Sequence, residues 1–199
     1  MISIATDCSG IDAPIFAMKR LRIPIKHIFS SDIDKHARES IRQNCKPIHI
    51  FDNILNRPAI YSDIYLCGFP CQSFSLAGNR LGFSDKSRGN IFFECLKHIT
   101  KVKPKVYILE NVKGLINHDN GKTFNVIINS LHKLKMYNVF WKVLNSKDFG
   151  IPHNRERIFI IGIRKDIQKN PFEFPKPRPN MCKHVKHLLE NKQIPVKYK

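Results

Sequence analysis

MISIATDCSGIDAPIFAMKRL, residues 1–21, contains the first strand, turn and helix of the chain and sets its structural class. The apolar run Ile2–Ala5 has the length of a buried strand. Thr6–Gly10 is rich in turn-forming residues, and Ile11–Leu21 follows with helical spacing and with Pro14 in its first turn. A strand that leads through a tight turn into a helix is the opening unit of an α/β protein.

The same alternation continues along the chain. Further strands are predicted at His27–Ser30, Ile48–Phe51, Ile64–Cys67 and Val106–Leu109. Further helices are predicted at Ile33–Asn44, Ile91–Thr100 and Thr123–Lys135. Two later strands, Val139–Leu144 and Arg157–Ile163, have no helix between them, which favours an antiparallel hairpin at the sheet edge. We therefore expect an α/β fold with a doubly wound, mostly parallel sheet that binds ligands at the carboxyl ends of its strands.

The chain divides into one folded unit and a tail. Residues 1–164 form the predicted domain, in which a Gly/Pro/Ser-rich loop spans Gly68–Gly89. Residues 165–199 are rich in proline and basic residues, which is typical of a linker on the surface. One short helix is predicted within this tail, at His184–Leu189.

The charge of the chain indicates a polyanionic partner. Its 199 residues include 34 Lys and Arg against 16 Asp and Glu, a formal net charge of +18. A generally basic proteome or a solvated basic surface is the alternative explanation.

Cysteine spacing and hydropathy argue against several protein classes. The six cysteines form no CxxC pair and no Cys/His spacing typical of zinc, so neither a metal site nor a disulfide framework is expected. The N-terminus lacks a basic region followed by an apolar core, and no run approaches 18 apolar residues. We expect an intracellular protein, in the cytoplasm, nucleoid or nucleus, that does not contact the membrane.

The loop after the strand Ile64–Cys67 contains the first candidate for chemistry. It reads CGFPCQSFS and places Cys71 just beyond the carboxyl end of a parallel strand, where a rigid sheet can aim a nucleophile. A single cysteine is more often a small buried apolar residue, so the assignment needs the context of other motifs.

Three motifs together provide that context. GFPCQSFS at 68–75, Glu110-Asn111-Val112 and Arg155-Glu156-Arg157 resemble, in order, diagnostic motifs of the DNA (cytosine-5) methyltransferases, in particular the bacterial restriction-modification type. The resemblance extends from Ile2 to about Pro177. It implies a Rossmann-like fold of the class I S-adenosylmethionine-dependent methyltransferases, S-adenosylmethionine as methyl donor, and DNA as the substrate, from which the target cytosine is flipped out.

The resemblance also implies catalytic roles. Cys71 supplies a thiolate that adds to C6 of cytosine, because C5 is otherwise too poor a nucleophile to attack a sulfonium methyl. Glu110, at the end of its predicted strand, protonates or hydrogen-bonds N3 of the ring. Arg157 contacts O2 of the base, and Arg155 supports that arrangement.

Donor and DNA contacts follow from the same resemblance. Asp32 matches the acid that holds the ribose hydroxyls, and Asp52 matches the acid that binds the adenine amino group. The predicted donor-binding residues are Cys8, Gly10, Ile11, Asp32, Ile33, Asp52, Asn53, Pro70 and Ile91. The predicted DNA contacts are Phe69, Gln72, Ser75, Arg80 and Arg88. The chain departs from the family pattern at three positions, with Cys8 for phenylalanine, Asp12 for glycine and His153 for glutamine.

Several alternatives stay open at this stage. Members of the family continue into a target-recognition domain and a final donor-binding motif, which this sequence lacks. A second polypeptide that supplies both, a truncated remnant and a minimal enzyme are the three explanations. Two further functions remain: methylation of tRNA cytosines, and DNA binding without catalysis.

Overall fold

The computed structural model describes residues 1–70 and 91–178 and contains a seven-stranded sheet. The strands in these ranges are β1 (Ile2–Asp7), β2 (Ile25–Ser31), β3 (His49–Phe51), β4 (Ile64–Cys67), β5 (Val106–Val112), β6 (Tyr137–Asn145) and β7 (Glu156–Arg164). The α-helices are α1 (Ala13–Arg20), α2 (Lys35–Asn44), α3 (Ile91–Val102) and α4 (Lys122–His132).

The strand order is β3-β2-β1-β4-β5-β7-β6. The first five strands in this order pair in parallel, and β7 pairs antiparallel with both β5 and β6. The predicted doubly wound sheet with an antiparallel hairpin at one edge is thus confirmed. The chain reverses its direction of winding between β1 and β4, so the carboxyl ends of these strands border the crevice in which such sheets bind ligands.

Two apolar clusters cover the two faces of the sheet. The larger cluster packs α3 and α4 on one face, through residues such as Phe92, Ile99 and Leu131 against Tyr65 and Tyr107. The smaller cluster packs α1 and α2 on the opposite face and contains Ile4, Ile15, Ile41 and Cys45. The alternate side chains of β5 that point away from the larger cluster, among them Glu110, are only half-buried, so they remain accessible for a site.

Local backbone geometry explains the largest differences from the predicted boundaries. Helix α1 begins two residues later than predicted because Asp12 has a left-handed backbone conformation, with φ of 60°. Helix α2 likewise begins later, at Lys35, because the Asp34 side chain accepts hydrogen bonds from the next turn and caps the helix. Strand β5 continues three residues beyond its predicted end, so Glu110 lies within the strand and pairs with Phe159 of β7.

The described part of the tail packs on the sheet edge. Residues 165–178 contain no helix or strand after β7, but the ring of Phe172 lies 5.0 Å from that of Phe140 in β6. The predicted helix His184–Leu189 and residues 71–89 of the predicted loop lie outside the described residues. The division of the chain at residue 164 stays a prediction.

The structure leaves no space for a side chain at Gly162, which lies in β7 opposite Tyr107 of β5. It pairs with Tyr107, and a Cβ atom at residue 162 would lie 2.0 Å from two ring carbons of that tyrosine. Tyr107 is fully buried and its ring packs 4.9 Å from that of Tyr137, so it has no space to move into. We expect Gly162→Ala to lower the free energy of unfolding by about 2–4 kcal/mol, the upper range for overpacking a core. Denaturant-induced unfolding measures this loss.

The double variant Gly162→Ala/Tyr107→Leu is the matched control. Its smaller side chain at residue 107 makes room for the new methyl group. The double variant should therefore lose less free energy of unfolding than the sum of the losses in the two single variants. Additive losses in the double variant would contradict the proposed clash.

Candidate active site

A cavity opens beside the carboxyl end of β5. It has a volume of about 320 Å³, which lies within the usual range of small-ligand pockets. Its polar lining includes Glu110 of β5 together with Arg155 and Arg157 at the start of β7. The remaining walls are Leu144, Asn145, Ser146, Phe149, Ile151, Phe159 and Pro175. A mostly apolar pocket with one carboxyl group and two guanidinium groups suits a flat polar ring.

The antiparallel register brings the acid and the arginine together. Val112 pairs with Arg157 and Glu110 pairs with Phe159, so Glu110 and Arg157 are diagonal neighbours on one face. The Nε atom of Arg157 lies 2.9 Å from Oε1 of Glu110, and Nη2 of Arg155 lies 3.9 Å from the same oxygen. Three of the four predicted catalytic residues, Glu110, Arg155 and Arg157, therefore lie together at this cavity.

The surroundings of Glu110 favour its neutral form. Burial raises the pKa of this carboxyl group above its ordinary value, although Arg157 and Arg155 act in the opposite direction. The side chain is 30% exposed, so a ligand in the cavity can reach it. A carboxylic acid with a raised pKa can donate a proton or a hydrogen bond to a bound base.

The end of β4 lies next to this acid. A Cβ atom added at Gly68 would lie 3.4 Å from Oε2 of Glu110 and 3.8 Å from the carbonyl oxygen of Cys8. Asn111, which is 1% exposed, donates from Nδ2 to the Phe69 carbonyl oxygen over 3.2 Å. Glu110 is thus close to the strand end that leads toward Cys71. Cys71 itself, and with it Gln72, Ser75, Arg80 and Arg88, lies outside the described residues.

Phe69 has a different environment from the one predicted. Its side chain is only 2% exposed and packs against Phe92 of α3, with ring centroids 5.9 Å apart. This placement makes the ring part of the core, and it does not support a direct contact between that side chain and DNA. The Phe69 carbonyl oxygen accepts the hydrogen bond from Asn111 and joins the end of β4 to β5.

Asn145 fixes the segment that contains the two arginines, and the sequence did not single it out. Its Oδ1 atom accepts hydrogen bonds from the backbone N–H groups of Lys147 and Arg155, at 3.2 and 3.1 Å. Its Nδ2 atom donates to Asn154 over 2.7 Å. The asparagine is 7% exposed and closes the loop from the end of β6 to the start of β7. The sequence signal for it was only a polar residue at a strand end.

Several predicted donor-binding residues, among them Gly10 and Asp32, lie at the carboxyl ends of β1 and β2. Gly10 has φ of +54°, and a Cβ atom added there would meet nothing within 4 Å, so the space beside this turn is open. The Gly10 N–H donates to Oδ2 of Asp32 over 2.8 Å, while Oδ1 of Asp32 accepts from the Asp34 N–H. Each carboxylate oxygen retains a lone pair for a further donor such as a ribose hydroxyl.

Other predicted donor-binding residues differ in exposure. Ile11 and Ile33 are 63% and 77% exposed, which leaves two apolar side chains free to contact a flat ring. Asp52 is exposed, and Asn53 accepts a hydrogen bond from the Leu55 N–H over 2.9 Å. The others are half-buried or buried, namely Cys8, Pro70 and Ile91. These residues fit an elongated ligand with polar and aromatic parts, and their contacts with it stay predictions.

A buried ion pair supports this end of the sheet. Arg57, in the segment after β3, forms hydrogen bonds through Nε and Nη2 with both carboxylate oxygens of Asp7 at the end of β1. The Tyr65 hydroxyl also donates to Asp7, over 2.6 Å. The guanidinium group lies 4.5 Å from the Phe29 ring and 3.1 Å from Nδ1 of His98, whose pKa is lowered to about 3 by burial. This network fixes the segment that follows Asp52.

Within residues 1–70 and 91–178, no group of three or more His, Cys, Asp or Glu side chains is arranged to hold a metal ion. No helix in those ranges is long and apolar enough to cross a membrane.

The chain resembles known proteins over most of its length. The family model of the C-5 cytosine-specific DNA methylases matches residues 1–199. The chain is 48% identical over 171 residues to the Type II methyltransferase M.HaeII of Haemophilus aegyptius, covering 85% of this chain and 52% of that protein. It is 46% identical over 156 residues to M.Bsp6I of Bacillus sp. (strain RFL6), covering 76% of this chain and 49% of that protein.

Solved structures share the fold. The Dnmt2 methyltransferase of S. pombe superposes with a TM-score of 0.73 at 20% identity and covers 98% of this chain and 62% of that one. A DNMT2 mutant of Spodoptera frugiperda gives a TM-score of 0.74 at 22% identity, with 98% and 61% coverage. The chain spans about half the length of the curated relatives described above.

Proposed function

The chain belongs to the C-5 cytosine-specific DNA methylases, and on this basis we propose that it transfers a methyl group from S-adenosylmethionine to C5 of cytosine in DNA. The observation that carries the proposal is the cavity in which Glu110 lies 2.9 Å from Arg157. A cytosine ring offers an acceptor at N3 and another at O2, which suits one protonated acid and one guanidinium group.

The chain's own residues account for the proposed reaction. The Cys71 thiolate forms a bond to C6 of the flipped cytosine, and electron density moves toward N3, where Glu110 donates its proton. Arg157 stabilises the charge at O2. When bound, S-adenosylmethionine supplies an electrophilic methyl group. After C5 has taken this group, water removes the C5 proton, the N3 proton returns to Glu110 and the Cys71 thiolate leaves C6, which restores the aromatic ring.

The donor is proposed to lie over the ends of β1 and β2. Asp32 would hold the ribose hydroxyls, Asp52 the adenine amino group, and the exposed Ile33 would contact the adenine ring. The open space beside Gly10 supports this placement, because a ligand can approach the backbone there without a steric clash.

The net charge of +18 supports a nucleic-acid substrate. The description of the matching family, C-5 cytosine-specific DNA methylase, favours DNA over tRNA as the substrate. The structural similarity to Dnmt2 proteins is at 20–22% identity and indicates only the fold.

The test compares methylation of two nucleic acids. The chain is incubated with labelled S-adenosylmethionine and either duplex DNA of mixed sequence or tRNA, and the nucleosides are separated after digestion. We expect label in 5-methyldeoxycytidine from the DNA. Label in tRNA alone would replace DNA with RNA as the substrate. Donor binding without label in either nucleic acid would support a DNA-binding protein without catalysis.

A further inference from the structure

Asp12 stands at the start of α1, but its carboxylate does not cap the helix. An aspartate at this position usually accepts hydrogen bonds from the first helical N–H groups. Here the side chain makes no such hydrogen bond and is fully buried. Its backbone φ of 60° is in the left-handed region, which favours glycine. A buried charge in a strained conformation needs a specific reason.

The buried carboxylate connects the first two strands. Its Oδ1 atom accepts from the Thr6 hydroxyl of β1 over 2.6 Å, and its Oδ2 atom accepts from the Ser30 hydroxyl of β2 over 2.5 Å. His27 extends the network, with Nε2 at 2.9 Å from the Ser30 hydroxyl and 3.6 Å from Oδ2 of Asp12. Burial raises the pKa of Asp12 and lowers that of His27. The network therefore spans the ends of β1 and β2.

The network continues into the turn at residues 7–12, which we call the donor loop. The Thr6 hydroxyl lies 2.8 Å from the Ser9 hydroxyl, which accepts a hydrogen bond from the Ser31 N–H over 3.1 Å. The Ser9 N–H donates to the Ser31 carbonyl oxygen, and the next N–H, that of Gly10, donates to Asp32. The backbone positions of Ser9 and Gly10 are thus set by hydrogen bonds to the end of β2, which Asp12 links to β1.

We infer that Asp12 is a positioning residue whose buried carboxylate holds the donor loop in the conformation that receives the methyl donor. The inference rests on the proposed donor site. Since Asp12 is fully buried, it acts through Thr6, Ser30 and the loop, and not by contact with the donor. Loss of the acceptor removes the link between β1 and β2, because Thr6 then pairs only with Ser9 and Ser30 only with His27. The loop gains freedom that donor binding must then remove.

Asp12→Gly is the most informative substitution. Glycine adopts φ of 60° without strain, so the backbone is relieved while only the carboxylate is lost. We expect S-adenosylmethionine to bind this variant about tenfold more weakly in calorimetry, the scale of a lost buried acceptor. Asp12→Asn keeps one acceptor oxygen and should lie between the wild type and the glycine variant. In hydrogen exchange, the amide of Gly10 should exchange faster in both variants.

Asp63→Asn is the matched control. Asp63 also links two strands through a serine, since it accepts from the Ser3 N–H and hydroxyl at 2.8 and 2.7 Å. It lies at the opposite end of the sheet, before β4, so its loss should leave donor affinity and exchange at Gly10 unchanged. Ser30→Ala removes one donor to Asp12 while it keeps the carboxylate, and it provides a second test if Asp12→Gly does not fold.

The outcomes are distinguishable. A wild-type chain that does not bind S-adenosylmethionine would contradict the proposed function. A wild-type chain that binds, with Asp12→Gly within about twofold of its affinity, would overturn the role of Asp12 alone. Equal weakening in Asp12→Gly and Asp63→Asn would also overturn it, because general destabilisation would then explain both.

Discussion

Cys71→Ser is expected to reduce methyl transfer by on the order of 10⁴-fold or more, because it removes the step in which the covalent bond to C6 forms. A serine hydroxyl stays protonated near neutral pH and is therefore a much weaker nucleophile toward C6 than a thiolate. The same substitution should abolish a covalent adduct with DNA that contains 5-fluorocytosine. Fluorine at C5 cannot leave as a proton does, so the wild-type enzyme remains attached after methyl transfer. Denaturing electrophoresis of labelled DNA measures the adduct.

Cys182→Ser serves as the control for this prediction. Cys182 belongs to the predicted basic tail and is not among the predicted site residues, so its replacement should leave both rate and adduct unchanged. A covalent adduct that persists in Cys71→Ser and disappears in another cysteine variant would reassign the nucleophile.

The fold could be predicted from the sequence because hydrophobic periodicity reflects burial on a sheet face. The strand Ile64–Cys67 was predicted with its correct limits, since all of its residues are apolar and a glycine follows. The extension of β5 to Val112 could not be predicted, because Glu110 and Asn111 are polar residues that a strand rarely buries. Their place in the strand follows from pairing with β7, which is a tertiary interaction.

Motifs identified the candidate catalytic groups, but not the residues that hold them in place. Glu110, Arg155 and Arg157 meet at one cavity, although 45 residues separate the first two of them along the chain. The role of Asn145 has no motif, and that of Asp12 could not be read from its position, because its carboxylate accepts a hydrogen bond from Ser30, which only the folded chain brings near. The ion pair of Arg57 with Asp7 joins residues 50 positions apart and has no local signal.

Glu110→Gln is expected to reduce the rate of methyl transfer by about 10²–10⁴-fold, the usual contribution of a general acid. Glutamine preserves the size of the side chain and can still donate a hydrogen bond, but it has no proton to transfer to N3. Donor affinity should change little, because the lining of the cavity that contains Glu110 includes none of the predicted donor-binding residues. Single-turnover kinetics with labelled donor measure the rate, and calorimetry measures the affinity.

The pH profile provides the sharper test of this acid. The protonated carboxyl group is the active form, so the wild-type rate falls as pH rises through the pKa of Glu110 in the folded protein. Burial raises that pKa, which moves the decline to higher pH than an ordinary glutamic acid would show. Glu110→Gln should lose this decline. Glu156→Gln is the matched control, because Glu156 pairs with Lys113 at 3.0 Å on the outer side of β7. A decline that persists in Glu110→Gln would assign the acid to another residue.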